Sequence, residues 1–286
     1  MIRPVRVVVV AYHAPDLLDD CLAALLPTFE ITVVDNSSSR DVRTIADERG
    51  AVYVDPGRNL GFAAGVNVAL RRLLDGPPCD VLLVNPDARI APATVEALAA
   101  FLHRPGHERL AAVAPRLVYA DGTEQLVYWP FPTPIRAWGE ALGLRRLLTG
   151  EPGFAIGAVL LLRWEAIQEI GLFDERFFLY AEEADWQRRA HTAGWSTGIC
   201  STAVAQHVGG GASSDRRSRE SLFHAAHEGY VRKWHGSVGW GLFRAAAIVG
   251  GLLRTIVLPG DRRAEAARRT LLYVRGPERS ALALRR

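Results

Sequence analysis

Lysine is almost absent from this 286-residue sequence, and cysteine is scarce. Lys233 is the single lysine, so no glycine loop is followed by the lysine that a phosphate-binding P-loop needs. Cys21, Cys79 and Cys200 lie far apart, without Cys-x-x-Cys spacing and in an odd number. The cysteines therefore indicate neither a zinc site nor a disulfide framework, and they fit a reducing compartment.

Long uncharged hydrophobic runs are also missing. The first apolar stretch, at 7–11, is shorter than the core of a signal peptide and is followed by polar residues. Residues 240–259 come closest to a membrane-spanning run, but Arg244 and Arg254 interrupt them. The sequence predicts neither a secretion signal nor a spanning helix, and we expect a cytoplasmic location, with peripheral attachment at the inner face of the cell membrane as a further candidate.

Charge is unevenly distributed along the chain. Apolar residues make up 49% and charged residues 23% of the sequence, which is typical of a folded protein. The net charge is only +3, yet residues 236–286 contain ten arginines and three acidic residues. We therefore predict a main domain at 1–235 and a basic helical tail at 236–286, for which an anionic partner is expected.

Strands and helices alternate along the first 84 residues. The segment 5–12 is a nearly continuous β-branched run, as expected of a strand buried on both faces of a parallel sheet. This alternation predicts an α/β fold with a doubly wound, mixed but mainly parallel sheet flanked by helices. The predicted strands are 5–12, 31–34, 51–54 and 81–84, and the predicted helices are 16–26, 41–49 and 61–74.

The pattern continues less regularly to the end of the chain. Three prolines between 128 and 135 predict an irregular loop across the mouth of the sheet. Helices are expected at 94–104, 165–170, 184–193 and from 218 onward, and strands at 111–118, 156–162, 195–200 and 203–206.

Two predicted strands end in a carboxylate. Residues 80–87 read Asp-Val-Leu-Leu-Val-Asn-Pro-Asp, and Asp35 ends the strand at 31–34 in the same way. Ligands of open α/β sheets bind outside the carboxyl ends of the strands, which makes Asp87 and Asp35 candidate site residues. The alternative is that Pro86 and Asp87 only turn the chain.

A glycine-bearing loop, Asn59-Leu-Gly-Phe-Ala-Ala-Gly-Val-Asn67, opens the helix predicted at 61–74. Its glycines would let backbone amides approach a nucleotide closely. The spacing is not Gly-x-Gly-x-x-Gly, so a dinucleotide fingerprint is absent.

Three acidic residues, Glu182, Glu183 and Asp185, fall within four positions at a predicted helix start. Carboxylates are favoured there by the helix dipole, so capping is one interpretation. The other is a general base, because a carboxylate beside apolar groups can keep a pKa suited to accepting a proton.

His207 precedes a run of glycines at 209–211. A lone histidine is often structural, but this one, paired with Asp87, would offer one nitrogen and one oxygen to a divalent cation.

The ordered motifs VVDNSS, NLGFAAGVN, LLVNPDA, GAVLLLR, GLFDERFFLYAEEADWQRR and AQHVGGG resemble the family 2 inverting glycosyltransferases of the GT-A fold. The resemblance is to their bacterial rhamnosyltransferase-like branch and covers about residues 5–235. It implies a catalytic domain that moves a sugar, such as L-rhamnose, from a nucleotide-diphosphate donor to a hydroxyl of a cell-envelope glycan or lipid-linked acceptor.

The resemblance also implies site residues. Glu183 would be the base, with Asp185 as the competitor, and Asp87 with His207 would hold Mg²⁺ or Mn²⁺. The acceptor would contact Gly157, Glu182 and Trp186. The donor would contact Ala11, Tyr12, Asp35, Asn59, Gly61, Phe62, Gly65, Asn67, Asn85 and Asp87. Two departures from the family pattern are Glu182-Glu183 in place of Glu-Asp and Asn85-Pro-Asp87 in place of Asp-x-Asp.

The implied partners are a dTDP- or UDP-sugar and a glycan or polyprenyl-diphosphate-linked acceptor. The basic tail makes an anionic membrane surface a candidate partner, unless its helices pack on the catalytic domain; a second copy of the chain is another. Nucleic acid is not expected, because the tail lacks a reading motif. A nucleotidyltransferase or a non-catalytic sugar-nucleotide-binding protein remains the alternative, although no glycine lies at 7–15, where the former would need one.

Overall fold

The computed structural model describes residues 3–209 and 216–284. The strands in this part of the chain are β1 (Val5–Ala11), β2 (Glu30–Asp35), β3 (Val52–Val54), β4 (Asp80–Val84), β5 (Ala88–Arg89), β6 (Leu110–Val118), β7 (Glu124–Gln125), β8 (Tyr128–Pro130), β9 (Gly153–Ala155), β10 (Val159–Leu162) and β11 (Ser196–His207). The helices are α1 (Pro15–Leu25), α2 (Arg40–Arg49), α3 (Phe62–Leu74), α4 (Pro92–Leu102), α5 (Pro134–Ala141), α6 (Trp164–Ile170), α7 (Glu182–Thr192), α8 (Arg216–Val257), α9 (Gly260–Arg275) and α10 (Pro277–Leu284).

One mixed sheet organises residues 5–207. Its strand order is β3-β2-β1-β4-β10-β6-β11-β5, with β7 beside β6, while β8 and β9 form a separate two-stranded sheet. Strands β1 to β4 run parallel to one another, β10 is antiparallel to its neighbours β4 and β6, and β11 is parallel to β6. The predicted α/β class with a mainly parallel sheet is confirmed.

The sheet core follows from the β-branched runs. Val7, Val8 and Val9 of β1 are at most 1% exposed, because the strand lies inside the sheet between β2 and β4 and packs against α3. On α1, Leu18 and Leu22 are fully buried at helical spacing. Burying such a side chain stabilises the fold by about 1.5–3 kcal/mol each.

The topology gathers several chain segments at one edge of the sheet. Ala11 ends β1 opposite Asp35 at the end of β2, and β4 ends at this edge before Asp87. Because β10 is antiparallel to β4, it begins where β4 ends, and Asn85 N–H donates to the carbonyl of Ala158 at 2.8 Å. His207 ends β11 at the same edge, where it pairs with Ala88 of β5.

The prediction that prolines forbid regular structure at 128–135 was wrong. Pro130 ends the short ribbon strand β8, and Pro134 lies in the first turn of α5, where the missing N–H costs nothing. The Thr133 side chain caps this helix by accepting from Arg136 N–H at 3.1 Å.

Two other strand predictions had wrong limits. The strand expected at 156–162 is shorter, because only β10 (Val159–Leu162) is formed there; the separate strand β9 (Gly153–Ala155) precedes it, and Gly157 lies in the segment between them. The two strands expected at 195–206 are the single strand β11, which has a register shift between Cys200 and Val204. A bulge of this kind lets one strand change its local twist without ending.

The described residues divide into two compact units. The first comprises 3–129, 153–178 and 182–209, and the second comprises 130–152, 179–181 and 216–284. In the second unit, α8 packs against α5, α9 and α10. The predicted boundary at 235/236 coincides instead with an interruption in α8, where Gly236 has φ 67° and ψ −172°. The assignment of 1–235 as the catalytic domain and of 236–286 as a basic tail stays a prediction.

Within the residues that the structure describes, one helical segment, Arg217–Val257 of α8, is long and apolar enough to cross a membrane by length and composition alone. Only 22% of the most apolar 18-residue stretch of this helix is buried inside the protein. The same test is passed by core helices of soluble proteins.

Candidate active site

The strongest metal-binding candidate is the pair of side chains that β4 and β11 bring together. Nε2 of His207 lies 3.4 Å from Oδ1 of Asp87. Val208 N–H donates to the Asp87 carbonyl at 3.0 Å, so the backbones are tied as well as the side chains. Both side chains are about nine-tenths buried. Pro86 and Asp87 do lie in a turn, and the Asp87 side chain also faces His207, so its metal role stays a prediction.

The donor chemistry of this pair fits a divalent cation. A carboxylate oxygen and an imidazole nitrogen are ligands that Mg²⁺ and Mn²⁺ accept. Among residues 3–209 and 216–284, no group of three or more His, Cys, Asp or Glu side chains could hold a metal ion. Two protein ligands leave the remaining positions to water or a substrate diphosphate. Part of the predicted glycine run, 210–211, lies outside the described residues.

Glu183 stands at the first turn of α7, beside the segment that joins β9 and β10. A Cβ at Gly157 would lie 3.6 Å from Cβ of Glu183. Burial raises the pKa of the Glu183 carboxyl, while backbone hydrogen bonds from Gly157 and Ala184 oppose the rise. Its buried Oε2 has no hydrogen-bond partner. A carboxylate in this environment can accept a proton.

Glu182, the neighbouring acid, points into the interior. Its side chain is 5% exposed, and burial together with the nearby Glu183 charge raises its pKa well above the usual range. The two carboxyls titrate as a pair, and each disfavours ionisation of the other.

Asp185, the other candidate for the general base, is buried in the protein interior and paired with an arginine. It is 0% exposed, and Nε of Arg189 donates to its Oδ2 at 3.1 Å. Arg189 also donates to the carbonyls of Ile170 and Leu172 at 2.7 Å each. The ion pair therefore ties α7 to the chain that follows α6, and the geometry favours Glu183 as the base.

Replacing Asp185 by asparagine is expected to lower the free energy of unfolding by about 3 kcal/mol, because breaking a buried pair leaves a charge uncompensated. Urea unfolding measures this. Asp47→Asn is the matched control, since Asp47 forms the same i,i+4 pair with Arg43 on the surface, and it should change stability by less than about 1 kcal/mol. Normal stability with lost turnover in Asp185→Asn would instead make Asp185 the base.

Trp186, predicted to contact the acceptor, lies in the core. It is 0% exposed, its Nε1 donates to the Gly171 carbonyl at 2.8 Å, and its ring stacks on Phe173. Contact with an acceptor would require this packing to open. Trp186 lies only three residues after Glu183 in the sequence, but in the structure it is on the buried face of α7.

Asp35 organises the loop after β2. One carboxylate oxygen accepts from Ser37 N–H at 2.9 Å and from the Ser37 hydroxyl, and the other accepts from Ser39 N–H and the Tyr53 hydroxyl at 2.8 and 2.9 Å. Burial and this bond raise the pKa of Tyr53. Direct contact between Asp35 and a nucleoside would have to replace one of these donors, so its donor role stays a prediction.

The glycine-bearing loop is held by protein acceptors. Gly61 N–H donates to the Asn59 side chain at 2.9 Å, and Phe62 N–H donates to the Phe178 carbonyl at 2.7 Å. Gly61 has φ 80°, and a Cβ there would lie 2.2 Å from that carbonyl. The close approach to Phe178 thus explains why position 61 is a glycine. Any contact between this loop and the sugar donor would come from other groups.

Gly65 and Asn67 also have structural partners. A Cβ at Gly65 would lie 2.8 Å from Val10, so the glycine lets α3 approach β1. The Asn67 side chain is 1% exposed, donates to the Phe173 carbonyl and Glu175, and accepts from Phe173 N–H. A donor would not reach Asn67 without breaking these bonds.

The remaining predicted donor residues lie at the edge of the sheet. Ala11 is buried and its carbonyl accepts from Asn36 N–H at 2.8 Å, whereas Tyr12 is 41% exposed beside His13. Asn85 is half-buried between β4 and Asp87.

Two polar residues at this edge were missed by sequence reasoning. Asn36 donates to the Gly61 carbonyl at 2.9 Å and so joins the loop after β2 to the start of α3. Gln125 contacts both the ring and the main chain of His207. Asn36 lies within a quoted motif, but nothing in the sequence around Gln125 distinguishes it.

Backbone strain is concentrated in loops next to the candidate site. Within the described residues, the non-glycine residues with positive φ are His13, Ala14, Ser38, Tyr180 and Ala181. The first three follow β1 and β2, and the last two directly precede Glu182. Such conformations cost about 1–3 kcal/mol each and are found preferentially at functional sites.

Comparison with known proteins shows the family to which this chain belongs. The sequence matches the model described as "Glycosyl transferase family 2" over residues 6–171. It is 27% identical over 296 residues to an N-acetylglucosaminyl-diphospho-decaprenol L-rhamnosyltransferase of Mycobacterium tuberculosis, covering 90% of this chain and 95% of the relative. It is 26% identical over 214 residues to the low-salt glycan biosynthesis hexosyltransferase Agl10 of Haloferax volcanii, covering 72% and 68%.

A solved structure shares the fold. Glucosyl-3-phosphoglycerate synthase from Mycobacterium tuberculosis, in complex with Mn²⁺, uridine diphosphate and phosphoglyceric acid, superposes with a TM-score of 0.54 at 17% identity, covering 79% of this chain and 76% of the other. The sheet is therefore that of the GT-A fold. With the family model matched over more than half of its length, this chain belongs to glycosyl transferase family 2 and is a glycosyltransferase.

Proposed function

We propose that this glycosyltransferase is an inverting enzyme that uses a divalent cation and moves a sugar from a nucleotide-diphosphate donor to an acceptor hydroxyl. The observation that carries the proposal is the gathering of Asp87, His207 and Glu183 around one edge of the sheet. The first two offer ligands to a cation, and the third offers a carboxylate oxygen without a partner.

Asp87 and His207 would hold Mg²⁺ or Mn²⁺. When bound, the cation supplies positive charge that neutralises the diphosphate leaving group. Asp87, reached through Asn85-Pro86, contributes one carboxylate where Asp-x-Asp motifs offer two. The donor diphosphate would therefore complete the ligand set, and we expect cation and donor to bind together.

Glu183 would remove the proton from the acceptor hydroxyl as that oxygen attacks the anomeric carbon. The new glycosidic bond forms on the face opposite the breaking bond to the diphosphate, so a single displacement inverts the anomeric configuration. The proton goes to the Glu183 carboxylate, and the bonding pair leaves with the nucleoside diphosphate. The raised pKa of Glu183 strengthens it as a base relative to an ordinary carboxylate.

The donor is proposed to be a dTDP- or UDP-sugar, with L-rhamnose as the leading sugar because of the relative named as an L-rhamnosyltransferase. A thermal-shift screen of dTDP-, UDP- and GDP-sugars with Mn²⁺ tests this assignment. One nucleotide class should raise the melting temperature only in the presence of Mn²⁺. Equal shifts without the cation, or none with any donor, would contradict the proposal.

The acceptor is proposed to be a sugar on a polyprenyl diphosphate, as the name of the same relative indicates for that protein. Such an acceptor lies in a membrane, and α8 offers a surface for it. Its segment after Gly236 exposes apolar side chains on one face, here called the apolar stripe; the exposed fractions are Val238 79%, Leu242 50%, Leu252 53% and Ile256 74%.

The apolar stripe has the geometry and charge of an interfacial helix. At about 100° per residue, its four members fall within about 80° of one another around the helix axis and so share one face. Arg244 points elsewhere, donating to the carbonyls of Tyr273 and Val274 at the end of α9. The tail carries ten arginines against three acidic residues, which favours an anionic lipid surface over a neutral one. We therefore propose peripheral attachment at the cytoplasmic face of the cell membrane.

Replacing Leu242 and Ile256 of the apolar stripe by glutamate should reduce sedimentation with phosphatidylglycerol-containing liposomes at least tenfold at low salt. The double substitution removes two apolar side chains that would insert into the lipid, and it places two negative charges opposite the anionic lipid. Val52→Glu, an equally exposed apolar residue on β3, is the control and should sediment as the wild type does. Identical sedimentation of all three proteins, or none by the wild type, would contradict membrane attachment.

A further inference from the structure

Gln125 makes two hydrogen bonds with a single residue, His207. Its side-chain Nε2 donates to the His207 main-chain carbonyl at 2.5 Å, and its Oε1 lies 2.9 Å from the ring Nδ1. Gln125 belongs to the two-residue strand β7, which pairs with β6 through Leu117. The side chain thus bridges β7 and the end of β11.

The carbonyl of His207 determines how the Gln125 amide is oriented. A carbonyl oxygen can only accept a hydrogen bond, so the amide NH₂ must face it. The amide oxygen then faces Nδ1, and since this oxygen also can only accept, Nδ1 must carry the proton. In the neutral ring, the lone pair is consequently on Nε2.

That lone pair is directed toward a second acceptor. Nε2 lies 3.4 Å from Oδ1 of Asp87, and a lone pair beside a carboxylate is unfavourable unless a cation or proton is shared. Neighbouring ligands of one divalent cation at about 2.1 Å lie about 3 Å apart, close to the observed separation. The other tautomer would place a proton on Nε2, where it would block the cation.

We propose that Gln125 is a positioning residue that holds His207 in its Nδ1–H tautomer, with Nε2 open to the divalent cation shared with Asp87. The proposal rests on the metal role proposed above for these two residues. It adds that the ligand set is prepared before the cation arrives, because Gln125 prevents His207 from donating to Asp87.

The alternative is that Gln125 only ties β7 to β11. A tie of that kind would affect the melting temperature but would change neither the tautomer of His207 nor the affinity for a cation. Two substitutions separate the possibilities. Gln125→Leu removes both bonds, whereas Gln125→Glu loses the bond to the carbonyl and keeps an acceptor for Nδ1–H.

The first measurement is the tautomer of His207 in the metal-free full chain, from ¹⁵N shifts of histidine-labelled protein at a pH where the ring is neutral. The His207 signals are identified by their loss in His207→Gln. Wild type and Gln125→Glu should show the Nδ1–H form, and Gln125→Leu should shift toward Nε2–H, which can donate to Asp87. A wild-type ring in the Nε2–H form, or no change in Gln125→Leu, would overturn the proposal.

The second measurement is Mn²⁺ binding, followed by electron paramagnetic resonance with and without UDP. Loss of an outer partner of a ligating histidine costs about 10–100-fold in metal affinity, which is the weakening expected for Gln125→Leu. Gln125→Glu should bind within about threefold of wild type, as should Gln168→Leu, the same change at an exposed position on α6. Unchanged affinity in Gln125→Leu would overturn the proposal.

The two measurements distinguish a failure of the proposed metal role from a failure of the proposed role of Gln125. If the wild type binds no Mn²⁺ under either condition, the metal role of Asp87 and His207 fails, while the ¹⁵N shifts still decide whether Gln125 sets the tautomer. If Mn²⁺ binds and the tautomer is independent of Gln125, the metal role stands and the positioning role fails.

Discussion

Glu183→Gln is expected to reduce the rate of sugar transfer by about 10²–10⁴-fold, the contribution typical of a positioned general base. The amide has nearly the same shape as the carboxyl, so the fold should persist, but it cannot accept the proton of the acceptor hydroxyl. Turnover under saturating donor and acceptor measures the loss, and donor binding should be unchanged.

The base role of Glu183 also predicts how the rate of sugar transfer depends on pH. Only the carboxylate form of Glu183 can accept a proton, and burial raises the pKa of this group above the ordinary value of 4.5. The rate should therefore rise with pH through a limb that lies above pH 4.5, and Glu183→Gln should lack this limb. Glu96→Gln, an exposed change on α4, is the control. Wild-type turnover in Glu183→Gln would remove the base assignment.

Asp87→Asn is expected to reduce turnover by about three orders of magnitude, since the charge stabilisation that a metal supplies is worth several kcal/mol. The asparagine retains the shape of the turn but loses the charge that holds the cation. Mn²⁺-dependent binding of the donor should weaken in parallel, which calorimetry with and without the cation measures.

The matched control is an aspartate that does only turn the chain. The exposed Asp121 accepts from Thr123 N–H at 2.9 Å and from the Thr123 hydroxyl at 2.7 Å, within a surface turn after β6. Asp121→Asn should leave turnover unchanged. If Asp87→Asn behaved like Asp121→Asn, Asp87 would be a turn residue, the interpretation that its sequence context leaves open.

The sequence predicted the parallel strands β1 to β4, because their residues form clear apolar runs that alternate with helices. Continuous β-branched runs such as 5–11 can be buried only between two layers, and the alternation with helices then requires parallel neighbours. Strand-end carboxylates follow from the same topology, so Asp35 and Asp87 could be placed at one edge. The proline-rich segment misled because a proline is tolerated at a ribbon end or in the first turn of a helix, as at Pro130 and Pro134.

The finer roles within the site could not be obtained in this way. Asp185 and Trp186 lie near Glu183 in the chain, yet the rotation of α7 turns them inward, and only tertiary packing decides that rotation. Asn67 is similarly turned toward Phe173. Gln125 reaches His207 across 82 residues of sequence from a strand of two residues, too short to produce a periodic signal.

The most direct test of the account is the anomeric configuration of the product formed from a nucleotide-sugar and a polyprenyl-diphosphate-linked sugar, determined by NMR coupling constants in the presence of Mn²⁺. We predict transfer with inversion relative to the donor, reduced at least about a hundredfold in Asp87→Asn and Glu183→Gln. A product with retained configuration, or equal transfer by all three proteins, would contradict it.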